Sequence, residues 1–480
     1  MGYTITIGRR VFDLKSVTVE PVMFIYMFNV FLQVITFQAL VYDKVCQKEF
    51  NTTVCQNLDN KSFASEEDIV QKNTSTWLLY SNITMGIPAL LTVLLLLGPW
   101  GDRVGRKVPV ILPIIGAILS NVSNLVNSVY MSAPLGYLLI GNFCSGIFGG
   151  YIGALMSMYT YVAHISSPEY RTIKIGILEA MIFLSGTLGT ATSGVMLDRT
   201  SYVFVFSLMT GLLIVLLVYT CLWVDNIKPE NDSQSEGPAN GCGLLLGVLK
   251  DVVMCVYNGR HNKNFLNLVL LTLTLFLLML VMVGENDIIL IYTRYHPFEW
   301  SQTTLGLFKG TESFLRGMGM LLLMPLCKKV FGMQDTSVML AGLISKSIAL
   351  LFIGLSSNTA MMFAGAVTGV LQGFGSAAIR SQCSSMVPSN QQGKMFSLIA
   401  LFESLASLVA TSLFNTVYNK TLDFYHGFSF LMASAIVGIG VAVGIVLHIR
   451  IRRDGLQVYN QLEDEHLEIH HASVEPEVET

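Results

Sequence analysis

Apolar runs of membrane-spanning length, one after another, leave this chain few ways to fold. They begin near Glu20 and end near His448. A helix needs roughly 20 consecutive apolar residues to cross the hydrocarbon core. Only 13% of the 480 residues are charged, against about 25% in a soluble domain. The length and the pattern together predict an all-α membrane protein with twelve transmembrane helices.

The runs fall at 20–42, up to 99, 108–129, 135–162, 175–197 and 203–224, then 265–292, 304–326, 338–355, 360–386, 395–418 and 428–448. They divide the chain into an N-terminal unit, 1–224, and a C-terminal unit, 265–449, each of six helices. Between the units lies a hydrophilic linker, 225–264, rich in Pro, Gly, Ser and Asn, with one possible amphipathic helix near 244–257. After Arg453 come eight acids and no Lys or Arg. The segment 450–480 therefore reads as a disordered, solvated tail. No cleavable leader is expected, because the run after Arg9, Arg10 and Lys15 is of span length.

Orientation follows from the loop bases. The N-terminus, the 98–107 turn, the loop with Arg171 and Lys174, the linker, Lys328–Lys329, Lys394 and the Arg450 cluster fall on one side. The positive-inside rule assigns that side, and both termini, to the cytosol. The opposite side carries the polar loop 43–76, with sequons at Asn51, Asn60 and Asn73. Three acceptors in one loop support exposure to a lumen or the exterior. Of eight cysteines only Cys46 and Cys55 share that loop, where oxidation is allowed.

The turn between the second and third runs reads Gly98-Pro-Trp-Gly-Asp102-Arg103-Val-Gly105-Arg106-Lys107. Its cations keep it out of hydrocarbon, and its glycines permit tight turning. The two units also echo each other. At one offset Gly141 matches Gly365, Gly149 matches Gly373 and Glu179 matches Glu403, as in parallel six-helix repeats.

An ionised side chain at mid-bilayer costs at least ~2.5–3.5 kcal/mol, so the charges inside the runs are the candidates for function. They are Glu179, Glu285, Asp287, Lys309, Glu312, Arg316, Lys346, Arg380 and Glu403. Lys309, Glu312 and Arg316 fall within an arc of ~60° on one helix face. That face offers two cations bridged by an acid, a wall suited to an anionic solute. Glu179 is placed to take up and release a proton as its surroundings alternate between wet and dry. Arg380 can grip a carboxylate or phosphate in bidentate fashion.

The charged turn resembles the loop between spans 2 and 3 of the major facilitator superfamily, where an Asp and an Arg latch the two halves together. Further matches single out the proton-coupled folate transporter family, solute carrier family 46. They are Arg171-Thr172, Leu178-Glu179-Ala180, Asp287-Ile288 with Tyr292, Pro297 with Trp300, Ile379-Arg380, Gln392-Gly393 with Phe396, and Phe414-Asn415-x-x-Tyr418 before Gly427-Phe428. The resemblance implies two six-helix bundles rocking about a central path, with proton-driven uptake of an organic anion. It puts proton coupling on Glu179, with Glu403 and Asp287 as further candidates. It puts substrate binding on Arg380, while Lys309, Arg316, Glu312 and Glu285 are substrate-binding candidates from their charge inside the runs and not from the resemblance. Latch residues are Gly98, Asp102, Arg103, Gly105, Arg106 and Lys107.

Departures from the family pattern bear on the cargo. Met282 stands in place of a coupling His, His426 in place of a Lys and His164 in place of an Asp. Glu299 replaces a Cys that bridges to the first loop, which implies Cys46–Cys55 as the pair. The cations of span 8 have no charged counterpart in the folate transporter and suit a phosphorylated or polyanionic solute such as a cyclic dinucleotide.

The expected activity is therefore secondary active transport, with proton symport of a folate-like or polyanionic solute. The alternatives are a pH-independent facilitator and a non-transporting receptor on the same fold. No enzymatic motif, metal-ligand cluster or nucleotide loop occurs in the aqueous segments, so neither cofactor nor nucleic-acid polymer is expected. The partners are protons, an organic anion and the bilayer, with oligomeric state left open. Localisation is expected at the plasma membrane, with the endosome or lysosome as the alternative. Tyr459-Asn-Gln-Leu462 fits a tyrosine-based sorting signal.

Overall fold

The computed structural model describes residues 4–7, 10–13, 18–55, 63–98, 101, 105–227, 265–294, 298, 300, 302–387, 392–421 and 425–472. A short hairpin, β1 (Thr4–Ile7) and β2 (Arg10–Asp13), precedes the bundle, with Thr4 opposite Asp13. Everything after it among the described residues is helical or loop.

The first six long helices are α1 (Glu20–Glu49), α2 (Ala64–Thr92 with the π turn Val93–Leu97), α3 (Lys107–Val129), α4 (Gly136–Ile147 and Gly150–Ile165), α5 (Pro168–Arg199) and α6 (Tyr202–Trp223). The next six begin with α7 (Phe265–Arg294). Helix α8 runs from Gln302–Met318 through the π turn Gly319–Leu323 to Met324–Lys329. Then come α9 (Asp335–Gly354), α10 (Thr359–Thr368, the 3-10 turn Gly369–Leu371, and Gly373–Ser385), α11 (Gln392–Thr421) and α12 (Phe428–Ala472).

Eleven of these are long and apolar enough to cross a membrane. The twelfth, α8, is interrupted by Lys309, Glu312 and Arg316, and its apolarity suffers accordingly. Bulky apolar side chains such as Leu222, Leu408, Leu307 and Val215 stand exposed on the outer surface. Hydrocarbon, not water, is the solvent that such a surface fits.

Backbone irregularities repeat between the two sets of six. The π turns fall in α2 and α8, and the broken helices are α4 and α10. The α4 break sits at Gly149, whose φ of 95° only glycine adopts readily. A Cβ there would also lie 2.6 Å from a Leu97 methyl. Its sequence equivalent, Gly373, opens the last segment of α10. The internal echo in the sequence therefore has a physical counterpart in where the helices bend.

The polar loop expected at 43–76 is much shorter in the structure. Helix α1 continues to Glu49, and α2 already begins at Ala64. Neighbours hold the extra turns of α1. Lys44 Nζ donates to the carbonyls of Tyr130 at 3.1 Å and Ala133 at 3.2 Å, capping the end of α3, and the Tyr202 hydroxyl donates to Asp43 at 2.6 Å. A disulfide joins Cys46 to Cys55 across the connection. Asn51 lies exposed within that disulfide loop, Asn73 lies on α2, and Asn60 falls outside the described residues. At the other terminus α12 runs past its apolar part to Ala472, through most of the stretch expected as a disordered tail. Leu, Gln and Glu are frequent there, and all favour helix. Most of the linker, 228–264, lies outside the described residues, including the possible helix at 244–257 and two of the cysteines.

Several contacts between the first and last six helices lie at one end. Call this the turn side, where the 98–107 turn lies; the loop side carries the disulfide. Ser397 of α11 donates to the Val93 carbonyl at 3.1 Å. Thr172 of α5 bonds Ser381 of α10 at 2.8 Å and also Asp335 of α9. Tyr159 of α4 stacks on Phe396 of α11, centroids 6.2 Å apart. Gly98 faces α11 so closely that a Cβ would lie 3.0 Å from the Gly393 carbonyl oxygen and would overlap Ser397.

Candidate functional site

The site has two storeys. In the lower one, toward the turn side, Arg380 of α10 binds Glu179 of α5 through Nη1 and Glu403 of α11 through Nη2, the latter at 2.6 Å. Ser376, one turn before Arg380, also donates to Glu179. The guanidinium lies over the Tyr159 ring, 4.7 Å from its centroid. Glu179 and Arg380 are almost fully buried, while the Glu403 side chain is 23% exposed. One cation thus holds two acids, and the link to Glu179 crosses from the first six helices to the last six.

The upper storey is a cavity of about 230 Å³. Phe31, Ile182, Phe183 and Met282 form its apolar lining, and Glu285, Asn286, Lys309, Glu312 and Arg316 its polar lining. Here the helix periodicity predicted from sequence is realised. Glu312 binds Arg316 at 3.0 Å and approaches Lys309 at 3.6 Å. Lys309 also donates to the Asn286 side chain at 2.8 Å and is 30% exposed. Arg316 lies over the Phe183 ring, 4.6 Å from its centroid, so it reaches across to α5.

Not every expected residue faces the cavity free. Glu285 is paired with Lys346 of α9, and both are buried to within a few percent. Asp287 is separate from both storeys, and its Oδ2 has no hydrogen-bond partner among the described residues. Lys346 lies inside an apolar run and is legible as a charge, but its partner lies on another helix. Ser376 and Gln372 carry no charge, so nothing in the sequence flags them. Their register with Arg380, at intervals of four, is the only signal available.

The turn itself is described in part. Gly105 has a φ of 126°, which favours glycine. The Arg106 backbone N–H donates to the Ile227 carbonyl at 3.1 Å, and Lys107 Nζ to the Cys221 carbonyl at 2.6 Å. The Arg106 side chain is buried. Asp102 and Arg103 lie outside the described residues. What is visible ties the turn to the end of α6, while Gly98 on its entry carries the contact to α11.

A bundle of membrane helices with a buried ionic bridge between its two sets of six, and a charged cavity on one side of that bridge, is the architecture of a membrane transporter. The chain belongs to the major facilitator superfamily, whose family model matches residues 21–411. It is similar to the proton-coupled folate transporter of Rattus norvegicus, 28% identical over 89% of this chain and 91% of that protein. It is also similar to the lysosomal proton-coupled steroid conjugate and bile acid symporter of Homo sapiens, 27% identical over 88% of this chain and 92% of that one. These relatives bear out the resemblance to solute carrier family 46. Among solved structures, the human organic anion transporter MFSD10 superposes with a TM-score of 0.67 at 14% identity, covering 89% of this chain and 98% of its own. The transporter FucP in its outward conformation gives 0.62 at 10% identity, covering 89% and 98%. At such identities the structures speak for the fold alone.

Proposed function

We propose that the protein is a proton-coupled symporter of an amphipathic organic anion, working by alternating access. The observation that carries this reading is the buried bridge Glu179–Arg380–Glu403, which joins the two sets of helices through a group that can be protonated. With all three groups ionised, two acids and one cation leave a net negative charge in a dry site. A proton on Glu179 neutralises the cluster and removes the ionic link between α5 and α10. Arg380, still held by Glu403 through Nη2, can then turn its Nη1 edge to an anion descending from the cavity. Carboxylates that release a partner on protonation are suited to this task, because an ion pair in low dielectric is strong only while both members are charged.

The cavity supplies the cargo preference. Its apolar side, with Phe31 and Phe183, suits a flat hydrophobic body, and Lys309 with Arg316 suits an anionic end. Folate, steroid conjugates and bile acids, the solutes in the relatives' names, all combine the two. Because Glu312 already engages both cations, the cavity favours a solute of low charge over a polyanion. With the turn side in the cytosol, as the loop bases require, the inter-helix contacts close the cytosolic end. The cavity then belongs to an outward-facing state, at the plasma membrane or facing the lumen of an endosome or lysosome. Both termini are cytosolic in this arrangement, and the relatives include a lysosomal protein. Asn51 and Asn73 then lie on the glycosylated side.

The test is uptake of labelled folate and of a labelled bile acid by cells expressing the chain, at acidic and at neutral external pH. Accumulation of either that rises with acidity supports the reading. Binding without accumulation identifies a receptor instead, and accumulation that ignores pH identifies a facilitator.

A further inference from the structure

Gln372, Ser376 and Arg380 follow one another along α10 at intervals of four, each about 6 Å further along the axis. All three are buried. Gln372 closes the 3-10 turn of α10, its N–H donating to the Gly369 carbonyl at 3.0 Å. Its Nε2 donates to Glu312 Oε1 at 3.1 Å, the same oxygen that Arg316 holds. One turn on, Ser376 donates to Glu179; one turn further, Arg380 binds Glu179 and Glu403. One helix face therefore touches the acid of the cavity at its upper end and the acid of the bridge at its lower end. The Gln372 carbonyl oxygen, Oε1, is buried with no partner among the described residues. The carboxamide is thus held on its donor side by Glu312, while its acceptor side is unpaired among the described residues, and a buried polar group left so calls for an explanation.

We propose that Gln372 is a positioning residue through which the charge balance at Glu312, set by what occupies the cavity, controls protonation of Glu179. The inference deepens the symport reading above and rests on it for its purpose. An anion in the cavity competes for Lys309 and Arg316. Glu312 then leans on its remaining donor, Gln372. The 3-10 turn Gly369–Leu371 lets that residue follow. Ser376 and Arg380 share the helical segment that starts at Gly373, so they move with it and loosen their hold on Glu179, which accepts a proton. The charged and titratable groups around Glu179 are Arg380 from α10, Glu403 from α11 and Tyr159 from α4. Those around Glu312 are Lys309 and Arg316 on its own helix and Lys346 of α9, which Glu285 of α7 engages.

A double-mutant cycle on the full chain in lipid nanodiscs tests this without knowledge of the cargo. The probe is the infrared carbonyl band of protonated Glu179, assigned by its loss in Glu179→Gln and titrated with pH. Glu312→Gln removes the charge that Gln372 senses. In the Gln372 background it should change the proton affinity of Glu179 by at least about fivefold, the low end of coupling between sites. In the Gln372→Leu background the change should fall below half of that. Equal changes in both backgrounds would show a through-space effect and overturn the proposal, as would no change in either. Should Gln372→Leu fail to fold, Gln372→Met, closer in shape, replaces it. Uptake of labelled folate or bile acid by the unmutated chain is a separate arm. Uptake independent of pH there would sink the symport reading while a positive cycle still establishes the link between the two acids.

Discussion

At the residue scale, the two buried ion pairs that touch the site make opposite predictions. Glu285–Lys346 is buried at the edge of the cavity, and its two members come from α7 and α9 of the same set of helices. Lys346→Met strands a buried carboxylate and should destabilise the protein by about 3–5 kcal/mol. Adding Glu285→Met should restore most of that loss. Thermal unfolding in detergent would measure both variants, and a double variant as unstable as the single one would show that the pair is not the reason. Glu179–Arg380 is different because it bridges the two sets and has Glu403 as a second acid on the same cation. Glu179→Gln should leave the protein folded but flatten the pH dependence of uptake. A pH profile like that of the unmutated chain would remove Glu179 from the coupling role. Glu403 and Arg380 gain their meaning from the same geometry, whereas Asp287, set apart from both storeys, gains none.

At the element scale, α8 shows why sequence periodicity succeeds within a helix. Residues at i, i+3 and i+7 must share a face, so the spacing alone groups Lys309, Glu312 and Arg316. Simultaneous Lys309→Ala and Arg316→Ala should raise the KM for an anionic cargo about a hundredfold or more, since charge-assisted hydrogen bonds contribute ~1.5–3 kcal/mol each. An equal rise for a neutral solute would point to folding damage. Helix α2 carries a second element-level test. The Val93 carbonyl at the start of its π turn accepts both the Gly98 N–H and the Ser397 hydroxyl, and Gly98 packs against Gly393 and Ser397. Gly98→Val should disfavour this closed turn side by about 1–3 kcal/mol, shifting the population toward the opposite state. Faster labelling of turn-side cysteines by a thiol reagent would register the shift, and unchanged labelling would show that the contact is dispensable. The segment 43–76 marks where local polarity misleads. Its charges suggest a loop, but Lys44 and Asp43 are absorbed by partners on α3 and α6 rather than by water.

At the scale of the whole molecule, α2 and α4 meet α11 at the turn side, α5 and α8 pack beside the cavity, and the charged cavity lies toward the loop side. The arrangement predicts one-sided access. Ser313→Cys, on the cavity wall, should react with an impermeant thiol reagent applied from the loop side. A transported anion should slow that reaction. Reaction from the turn side instead would reverse the assignment of the open end. The same geometry bears on stability: the bridge residues are buried only while the turn side stays shut, so any state that opens it must find them water, a proton or a cargo anion.

The order of residues suffices to define the class of protein. Span-length apolar runs, sparse charge and one basic side leave helices crossing a membrane as the way to satisfy the backbone. The turn at 98–107 and the matches around Glu179 and Arg380 identify the superfamily. The local period of the helix then sets which charges share a face. Who pairs with whom is settled only by packing in three dimensions. Glu179 and Arg380 are 201 residues apart, and Glu285 and Lys346 are 61 apart. Nothing in the period of one helix says which neighbour its charges will meet. That choice also separates an acid held by a lysine of its own set from one bound across the seam between the two sets of helices, because buried charges take their character from the partner that packing supplies.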